Sequence, residues 1–287
     1  MKGIILVLVA ESGSDVPKEI VEKYPLRIVP MHETFGTDTK EDGSFPTEEI
    51  FSYYEKNREL PKTSGCTPGN SEKVFDEIRA QYPEHQILHL AYSASTTCSY
   101  QSAPIAAEGR NYVTSIDTKE VTVEQGMIVL AVADYLKRNP GCTLEDAIRV
   151  TEGFCRQYRM CFFLGTLLYL KAGGRVSNAA YLGAKVLSLT PLIELKDGTL
   201  VATKKYRGSK RKIVPALLEE YSEKEHLKKN FISFWYSPGF DEELRNRATE
   251  TAKEMGFEQV FWLQTGGVIS THGGPGAFGL CGFSEQE

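Results

Sequence analysis

Apolar runs that predict strands alternate with amphipathic segments that predict helices through the first half of this chain. Ile4–Val9 and Gln86–Tyr92 are strand-like, whereas Ser71–Gln81 and Val123–Arg138 have helical periodicity. Such β/α alternation is typical of a parallel sheet that is covered by helices on both faces. We therefore expect an α/β fold whose first half is built on a parallel sheet.

The second half of the chain has a different pattern and predicts a second α/β domain. Apolar runs at Leu192–Leu195 and Leu200–Lys204 flank the turn pair Asp197-Gly198 and predict a β-hairpin. At 287 residues the chain is also longer than one typical domain of about 150 residues. We expect residues 1–158 to form the N-terminal domain and residues 159–287 to form the C-terminal domain.

The composition disfavours several classes of protein. Lys and Arg number 33 against 38 Asp and Glu, and the resulting net charge of −5 argues against a nucleic acid as partner. The six cysteines are scattered without a C-x-x-C pair, and there are only five histidines. We therefore expect no metal site, and we expect the thiols to be free in a reducing cytosol.

The longest apolar stretches do not predict membrane segments. Gly3–Ala10 has one preceding Lys and is followed at once by Glu-Ser-Gly-Ser, which favours a buried first strand over a signal peptide. Met160–Leu170 is about half the length of a bilayer span. The expected protein is cytoplasmic and has no stable membrane insertion.

A hydroxyl-rich segment, Ser93–Ser99, lies between the predicted strand Gln86–Tyr92 and a predicted helix. Six of its seven residues carry a hydroxyl or a thiol. Open parallel sheets bind ligands at the carboxyl ends of their strands, and the N–H groups of a helix N-terminus favour a carboxylate or a phosphate. The simpler alternative is that these residues only cap the helix. A second polar loop, Thr63–Gly69, also precedes a predicted helix.

The glycine-rich segment Thr265–Gly279 is interpreted as a loop that lets backbone approach a ligand closely. His272 within it can donate to an anion or transfer a proton, and the alternative is a surface histidine on a flexible turn. Arg175 follows Gly173-Gly174 and is either structural or a phosphate contact. One basic run either is solvated or steers an anionic partner. It contains Lys204, Lys205, Arg207, Lys210, Arg211 and Lys212.

The sequence shows no signature of a known catalytic machine. It lacks a G-x-S-x-G nucleophile elbow, a Walker loop, an H-E-x-x-H motif and a kinase signature. Cys66 and Cys98 have polar neighbours, but the sequence assigns neither of them a histidine base. We therefore predict a ligand-binding protein and name no catalytic residue.

With these segments in place, the sequence resembles the DegV family of bacterial fatty-acid-binding proteins over essentially its whole length. The motifs that carry the likeness are Val9–Asp15, Ile28–Pro30, Thr63-Ser64, Tyr100–Ala103, Gly173–Ser177, Thr190–Leu192, Arg207 and His272. The polar loops depart from the family pattern. The family's S-G-T reads Thr97-Cys98-Ser99 here, and its T-S-Q-P reads Thr63-Ser64-Gly65-Cys66.

The resemblance implies a two-domain DegV fold: a Rossmann-like N-terminal domain with a parallel sheet, a C-terminal α/β domain, and one long-chain fatty acid between them. It implies that Thr63, Thr97 and His272 hold the carboxylate, with the Cys98 side chain added beside the head group. No cofactor is implied. In some relatives a separate ATP-dependent kinase subunit converts the bound acid to acyl phosphate for phospholipid synthesis. Arg175 and Arg207 would dock that subunit.

A fatty acid requires an apolar sleeve with a small polar end. Residues of the C-terminal domain are candidates for the sleeve and equally for the core of that domain. They are Phe162, Phe163, Leu164, Leu167, Leu168, Leu187, Leu189, Leu192 and Ile193. Two other functions stay open. One is an enzyme that acts on a phosphorylated or acylated small molecule through Cys98 or His272, and the other is a kinase-independent lipid sensor or scavenger.

Overall fold

The computed structural model describes residues 6–175 and 189–285. The chain divides into two compact units. The first unit comprises Met1–Phe45 and Thr63–Arg156, and the second unit comprises Pro46–Lys62 and Gln157–Glu287. Residues 46–62 were expected in the N-terminal domain but group with the second unit.

The secondary structure of the described residues follows the chain in this order. The strands are β1 (Leu6–Glu11), β2 (Leu26–Val29), β3 (His32–Phe35), β4 (Asp38–Glu41), β5 (Lys62–Ser64), β6 (Gln86–Ala91), β7 (Val113–Asp117), β8 (Tyr158–Phe163), β9 (Leu189–Lys196), β10 (Thr199–Arg207), β11 (Ile232–Tyr236), β12 (Val260–Gln264) and β13 (Phe278–Phe283). The helices are α1 (Lys18–Val21), α2 (Glu48–Asn57), α3 (Pro68–Gln81), α4 (Ser99–Ala106), α5 (Thr122–Arg138), α6 (Leu144–Gln157), α7 (Leu168–Ala172), α8 (Lys210–Lys224), α9 (Glu242–Glu254) and α10 (Gly267–Gly273).

A parallel sheet forms the centre of the first unit. Within the described part of the chain, its strands are ordered β2-β1-β6-β7 and every neighbouring pair is parallel. All residues of β1 are buried, as expected for a strand that is covered on both faces. The parallel α/β sheet predicted from the sequence is therefore confirmed. Ile4 and Ile5 of the predicted first strand lie outside the described residues.

The N-terminal region departs from the sequence prediction at two points. The sequence favours a helix over residues 16–23 with Asp15 as its N-cap, but Asp15 is left-handed (φ 53°) and α1 begins at Lys18. The Asp15 carboxylate instead accepts a hydrogen bond from Thr122 Oγ1 at 2.6 Å. The small sheet β4-β3-β5 was not predicted either, because its strands are short and β4 is mostly exposed.

A mixed sheet forms the centre of the second unit. Its described strands are ordered β10-β9-β8-β13-β11-β12, and only the pair β11–β12 among them is parallel. The predicted hairpin is confirmed as β9–β10. Its turn residues Asp197 and Gly198 have φ angles of 47° and 76°, and a tight type I′ turn requires positive φ at both positions.

Residues 46–62 belong to the second unit because α2 packs against α7. The Phe51 ring meets the Tyr169 ring edge-on, with 5.9 Å between the centroids. The Tyr54 ring lies 5.5 Å from the same tyrosine. Aromatic pairs at these separations contribute about 0.5–1.5 kcal/mol beyond the area that they bury.

The glycine-rich segment 265–279, which was predicted to be a loop, forms α10 and the start of β13, joined by a turn at residues 274–277. Gly274 and Gly276 in this turn have φ angles of 68° and 74°, so the loop prediction is correct only there. The glycines of the helix and the strand provide close packing within these elements. A Cβ atom at Gly279 would lie 2.2 Å from Cε2 of Trp235, so only glycine lets β13 pass beneath that indole. The strand continues into the core of the second unit, where the Phe278 ring stacks on Phe240 with 4.9 Å between centroids.

Candidate functional site

The hydroxyl loop, which we define as residues 93–98, connects β6 to α4 at the carboxyl end of the parallel sheet. Its turn is held by its own groups, since the N–H and the Oγ1 of Thr96 both donate to the Ser93 carbonyl at 3.0 Å. The Ala94 N–H donates to Asp117 Oδ1 at 3.2 Å, which fixes the loop to the end of β7. The loop therefore occupies the edge where parallel sheets bind ligands.

Thr97, Cys98 and Ser99 form the entry to α4. Thr97 Oγ1 lies 3.1 Å from Ser99 Oγ and accepts a long hydrogen bond of 3.4 Å from the Ser99 N–H. Cys98 is the residue that precedes the helix, and its side chain is exposed. The 3.4 Å contact of Thr97 is the one sign of helix capping here, and Cys98 itself makes no side-chain capping bond. The alternative that these residues only cap α4 is therefore weakly supported. The hydroxyl groups stay grouped at a helix N-terminus, where N–H groups favour an anion.

The second polar loop, residues 63–69, lies against the hydroxyl loop. The Cys66 N–H donates to Ser99 Oγ at 3.0 Å. A Cβ atom at Gly65 would lie 2.3 Å from Thr97 Oγ1, so a larger residue at this position would displace that hydroxyl. The structure therefore brings together the two loops that the sequence singled out separately. Thr63 is half-buried in the middle of β5, in the same segment.

A buried polar chain lies beneath the hydroxyl loop, and the sequence analysis did not identify it. The Glu11 carboxylate accepts the Tyr92 N–H at 2.9 Å and lies 3.1 Å from His89 Nε2. The other ring nitrogen of His89 lies 3.1 Å from Ser115 Oγ. Glu11 and His89 are each 1% exposed, so their mutual contact satisfies groups that would otherwise be costly to bury. The sequence signal for this chain was a polar residue within each of two apolar runs, Glu11 in β1 and His89 in β6.

His272 lies in the last turn of α10 in the second unit, and its Nδ1 atom is buried. The predicted alternative of a surface histidine on a flexible turn is therefore wrong. Burial, assisted by the positive charge of Arg175, lowers the pKa of His272 to about 4. The imidazole is consequently neutral at neutral pH, and it interacts with other groups as a hydrogen-bonding side chain and not as a cation.

The predicted docking arginines differ in their surroundings. Arg175 is half-buried and donates from Nη1 to the Gly173 carbonyl at 2.6 Å, so it has a structural contact close to His272. Arg207 ends β10 and is exposed.

The basic run around Arg207 is partly neutralised. Lys204 pairs with Glu220 and Arg211 pairs with Glu243. Lys210 donates to the Gly276 carbonyl at 3.1 Å. These contacts use several of the cations within the protein, so the run is less positive than its sequence suggests.

A family model described as "Uncharacterised protein, DegV family" matches residues 6–285. The chain belongs to the DegV family. Protein DegV of Bacillus subtilis (strain 168) is 25% identical over 279 residues, which cover 96% of this chain and 98% of that relative. The resemblance inferred from the sequence motifs is confirmed.

Solved DegV structures share the fold over nearly the whole of each chain. One, which describes fatty acid binding by a DegV family protein from Thermus thermophilus, superposes with a TM-score of 0.88 at 27% identity and covers 98% of this chain and 100% of that one. Another is a stearic acid-binding protein from Eubacterium ventriosum, with a TM-score of 0.83, 25% identity and 98% coverage of both chains. The two-domain α/β fold is thus the DegV fold.

The predicted sleeve residues of this DegV chain differ in burial. Phe162, Phe163, Leu164, Leu192 and Ile193 are buried, Leu167 and Leu189 are half-buried, and Leu168 is 45% exposed. Phe163 and Leu192 also belong to the core of the second unit, so the alternative of a core role applies to them. Leu187 lies outside the described residues.

The described residues contain neither a membrane-spanning helix nor a cluster of metal-binding side chains. None of the helices in ranges 6–175 and 189–285 is long and apolar enough to cross a membrane. The same ranges contain no group of three or more His, Cys, Asp or Glu side chains with the arrangement of a metal site.

Proposed function

We propose that this DegV protein binds one long-chain fatty acid and that Thr63, Thr97 and the entry of α4 at Cys98 hold its carboxylate. The observation that carries the proposal is the meeting of the two polar loops, where Thr97 Oγ1 would be 2.3 Å from a Cβ at Gly65 and the Cys66 N–H reaches Ser99 Oγ. The likeness to fatty-acid-binding DegV proteins from Thermus thermophilus and Eubacterium ventriosum supports it.

The chemistry of this loop pair suits a carboxylate better than a neutral head group. Hydroxyl donors and the N–H groups at the start of α4 stabilise a negative charge without adding a buried counter-charge. A hydrogen bond to a charged group contributes about 1.5–3 kcal/mol. Each methylene of the tail that leaves water adds about 0.8 kcal/mol. The tail therefore supplies most of the affinity, and the loop pair sets its direction.

We also assign His272 to the fatty-acid carboxylate. Its lowered pKa keeps the ring neutral, so it can form a hydrogen bond with the carboxylate. When no lipid is bound, the ring therefore leaves no buried positive charge behind. This assignment rests on the family resemblance. The role is binding and not catalysis, in keeping with relatives that are described as fatty-acid-binding proteins.

We also propose that the bound carboxylate is presented to a separate ATP-dependent kinase subunit, in a cytoplasmic setting, and that Arg175 and Arg207 dock this partner. The exposure of Arg207 at the end of β10 supports its part in the proposal. Arg207→Glu should leave lipid binding intact and abolish acyl phosphate formation by a cognate kinase. Arg149→Glu, at another exposed arginine, is the control. Normal phosphorylation of the Arg207 variant would contradict the docking role.

The binding proposal is tested by mass spectrometry of an organic extract from protein purified without added lipid. We expect one long-chain fatty acid per chain. Thr97→Val and Thr63→Val should each weaken the affinity for stearate by about tenfold, because each removes a hydrogen bond to a charged group. Thr37→Val, in an exposed turn of the first unit, is the matched control. Unchanged affinity in both loop variants would overturn the proposed carboxylate site.

A further inference from the structure

Two cysteines lie in the loop pair that the proposed function assigns to the carboxylate, one in each loop. Cys66 follows Gly65 in the second polar loop and is 1% exposed. Cys98 ends the hydroxyl loop, and its side chain is exposed. A solvent-borne oxidant therefore has direct access to one thiol and not to the other.

The contacts between the two loops place these cysteines close together. A Cβ atom at Gly65, the neighbour of Cys66 in the chain, would lie 3.2 Å from Cys98 Sγ. On the other loop, the neighbour of Cys98, Ser99, accepts the Cys66 N–H at 3.0 Å. The residues next to the two cysteines in the chain, Gly65 and Ser99, therefore both lie where the two loops meet. Burial is the main cause of the raised pKa of Cys66, and the charge of Cys98 is one of its minor causes.

The resting position of the Cys66 thiol is inside the first unit. Its Sγ atom donates to the carbonyl oxygens of Val29 and Pro30 at 3.5 and 3.4 Å. Burial, followed by the charge of Glu11, raises the pKa of this thiol, so it stays protonated and inert in the reduced protein. For the Cys66 side chain to rotate toward Cys98, its weak S–H hydrogen bonding to these carbonyls and its contact with the Ser99 side chain must break.

We propose that Cys98 and Cys66 form a disulfide in response to a peroxide and that this bond closes the carboxylate site. Hydrogen peroxide first oxidises Cys98 to a sulfenic acid and is itself reduced, with one oxygen leaving as water. The Cys66 sulfur then attacks the Cys98 sulfur, and the sulfenic oxygen leaves as a second water with the Cys66 proton. Two thiols and one peroxide thus give one disulfide and two waters, and a thiol reductant reverses the bond.

The disulfide acts on the lipid through Thr97. A disulfide requires the two Cα atoms to lie within about 6.8 Å and fixes the dihedral angle about the sulfur pair. Cys98 is the immediate neighbour of Thr97, whose Oγ1 already fills the space beside Gly65. Drawing Cys98 toward Cys66 moves this hydroxyl away from its place at the start of α4. This inference rests on the proposed function, because it concerns the regulation of the same site.

The test compares reduced protein with protein treated with hydrogen peroxide, both freed of lipid beforehand. Remaining thiols are blocked with an alkylating reagent, and linked peptides are identified by mass spectrometry without reduction. Stearate affinity is measured on both samples and after treatment with dithiothreitol. We expect a peptide that links Cys66 to Cys98, a loss of affinity of about tenfold or more, and recovery on reduction.

The variants separate this bond from general oxidation. Cys66→Ala should bind stearate when reduced and should keep that affinity after peroxide, with Cys66→Ser as a second variant. Cys142→Ser, which removes a partly exposed thiol elsewhere in the first unit, should respond to peroxide as the unmodified protein does. A missing Cys66–Cys98 peptide, or unchanged affinity in protein that contains it, would overturn the inference. Failure of reduced protein to bind any fatty acid would overturn the proposed function and with it the lipid response, whereas the peptide result would still decide the disulfide.

Discussion

Gly173 lies so close to His272 that a Cβ atom at position 173 would be 2.2 Å from Nδ1 of the imidazole. The glycine therefore fixes where the ring of His272 can lie. Gly173→Ala should displace the ring and destabilise the protein by about 1–3 kcal/mol, the usual result of overpacking a filled site. Denaturant unfolding measures this change. Gly153→Ala is the control, because position 153 has open space around it and lies within α6, where alanine is favoured.

The lowered pKa of His272 makes stability depend on pH in a defined direction. The folded protein holds this ring neutral down to about pH 4, whereas the unfolded chain protonates it near pH 6.5. Between these values the unfolded state binds more protons, so the free energy of unfolding falls as the pH falls, by at most about 1.4 kcal/mol per unit. His272→Asn should flatten this dependence, and His226→Asn, at an exposed histidine, should not. Equal slopes in the two variants would refute the assignment.

The sequence was sufficient for the elements whose signal is local. The alternation of apolar runs and amphipathic segments predicted the parallel sheet of the first unit, and Asp197-Gly198 predicted the hairpin β9–β10 because the turn itself needs positive φ. The hydroxyl loop was also located correctly at the end of β6, since a parallel strand leads to its ligand edge directly. These features depend on residues that are close together in the chain.

Features that depend on distant residues were missed. The glycines of 265–279 predicted a loop throughout, but Gly279 lies in β13. The indole of Trp235, more than forty positions away in the chain, leaves no room for a side chain there. The contact between Glu11 and His89 exists because β1 and β6 are neighbours in register, which no local pattern reveals. The same limit applies to Gly65, whose importance appears only when the hydroxyl loop packs against it.

Glu33 should give a pH dependence of the opposite sign to that of His272. Its carboxyl group is buried in β3, and burial together with the charge of Asp42 raises its pKa to about 9 from an ordinary value of 4.5. Between about pH 4.5 and 9 the folded protein holds a proton that the unfolded chain has released. The free energy of unfolding therefore falls as the pH rises through this range.

Glu33→Gln should remove that fall and raise stability at pH 8. Glu41→Gln, exposed on β4 of the same hairpin, should leave the fall in place. Thermal unfolding at several pH values provides the comparison.

Gly65→Ala tests whether the contact between the two polar loops matters for the ligand. The added methyl group would lie 2.3 Å from Thr97 Oγ1 and 2.8 Å from Ser99 Oγ, and both hydroxyls must move to accommodate it. We expect stearate affinity to fall by about tenfold, the effect of one lost hydrogen bond to a charged group, with a smaller change in unfolding free energy because position 65 lies in a partly exposed loop. Gly69→Ala, in the first turn of α3 where the nearest atom would be 3.9 Å away, is the control. Isothermal titration of lipid-free protein decides the outcome. Equal affinities in the two variants would show that the position of the Thr97 hydroxyl does not govern binding, and the carboxylate would then have to be sought away from the hydroxyl loop.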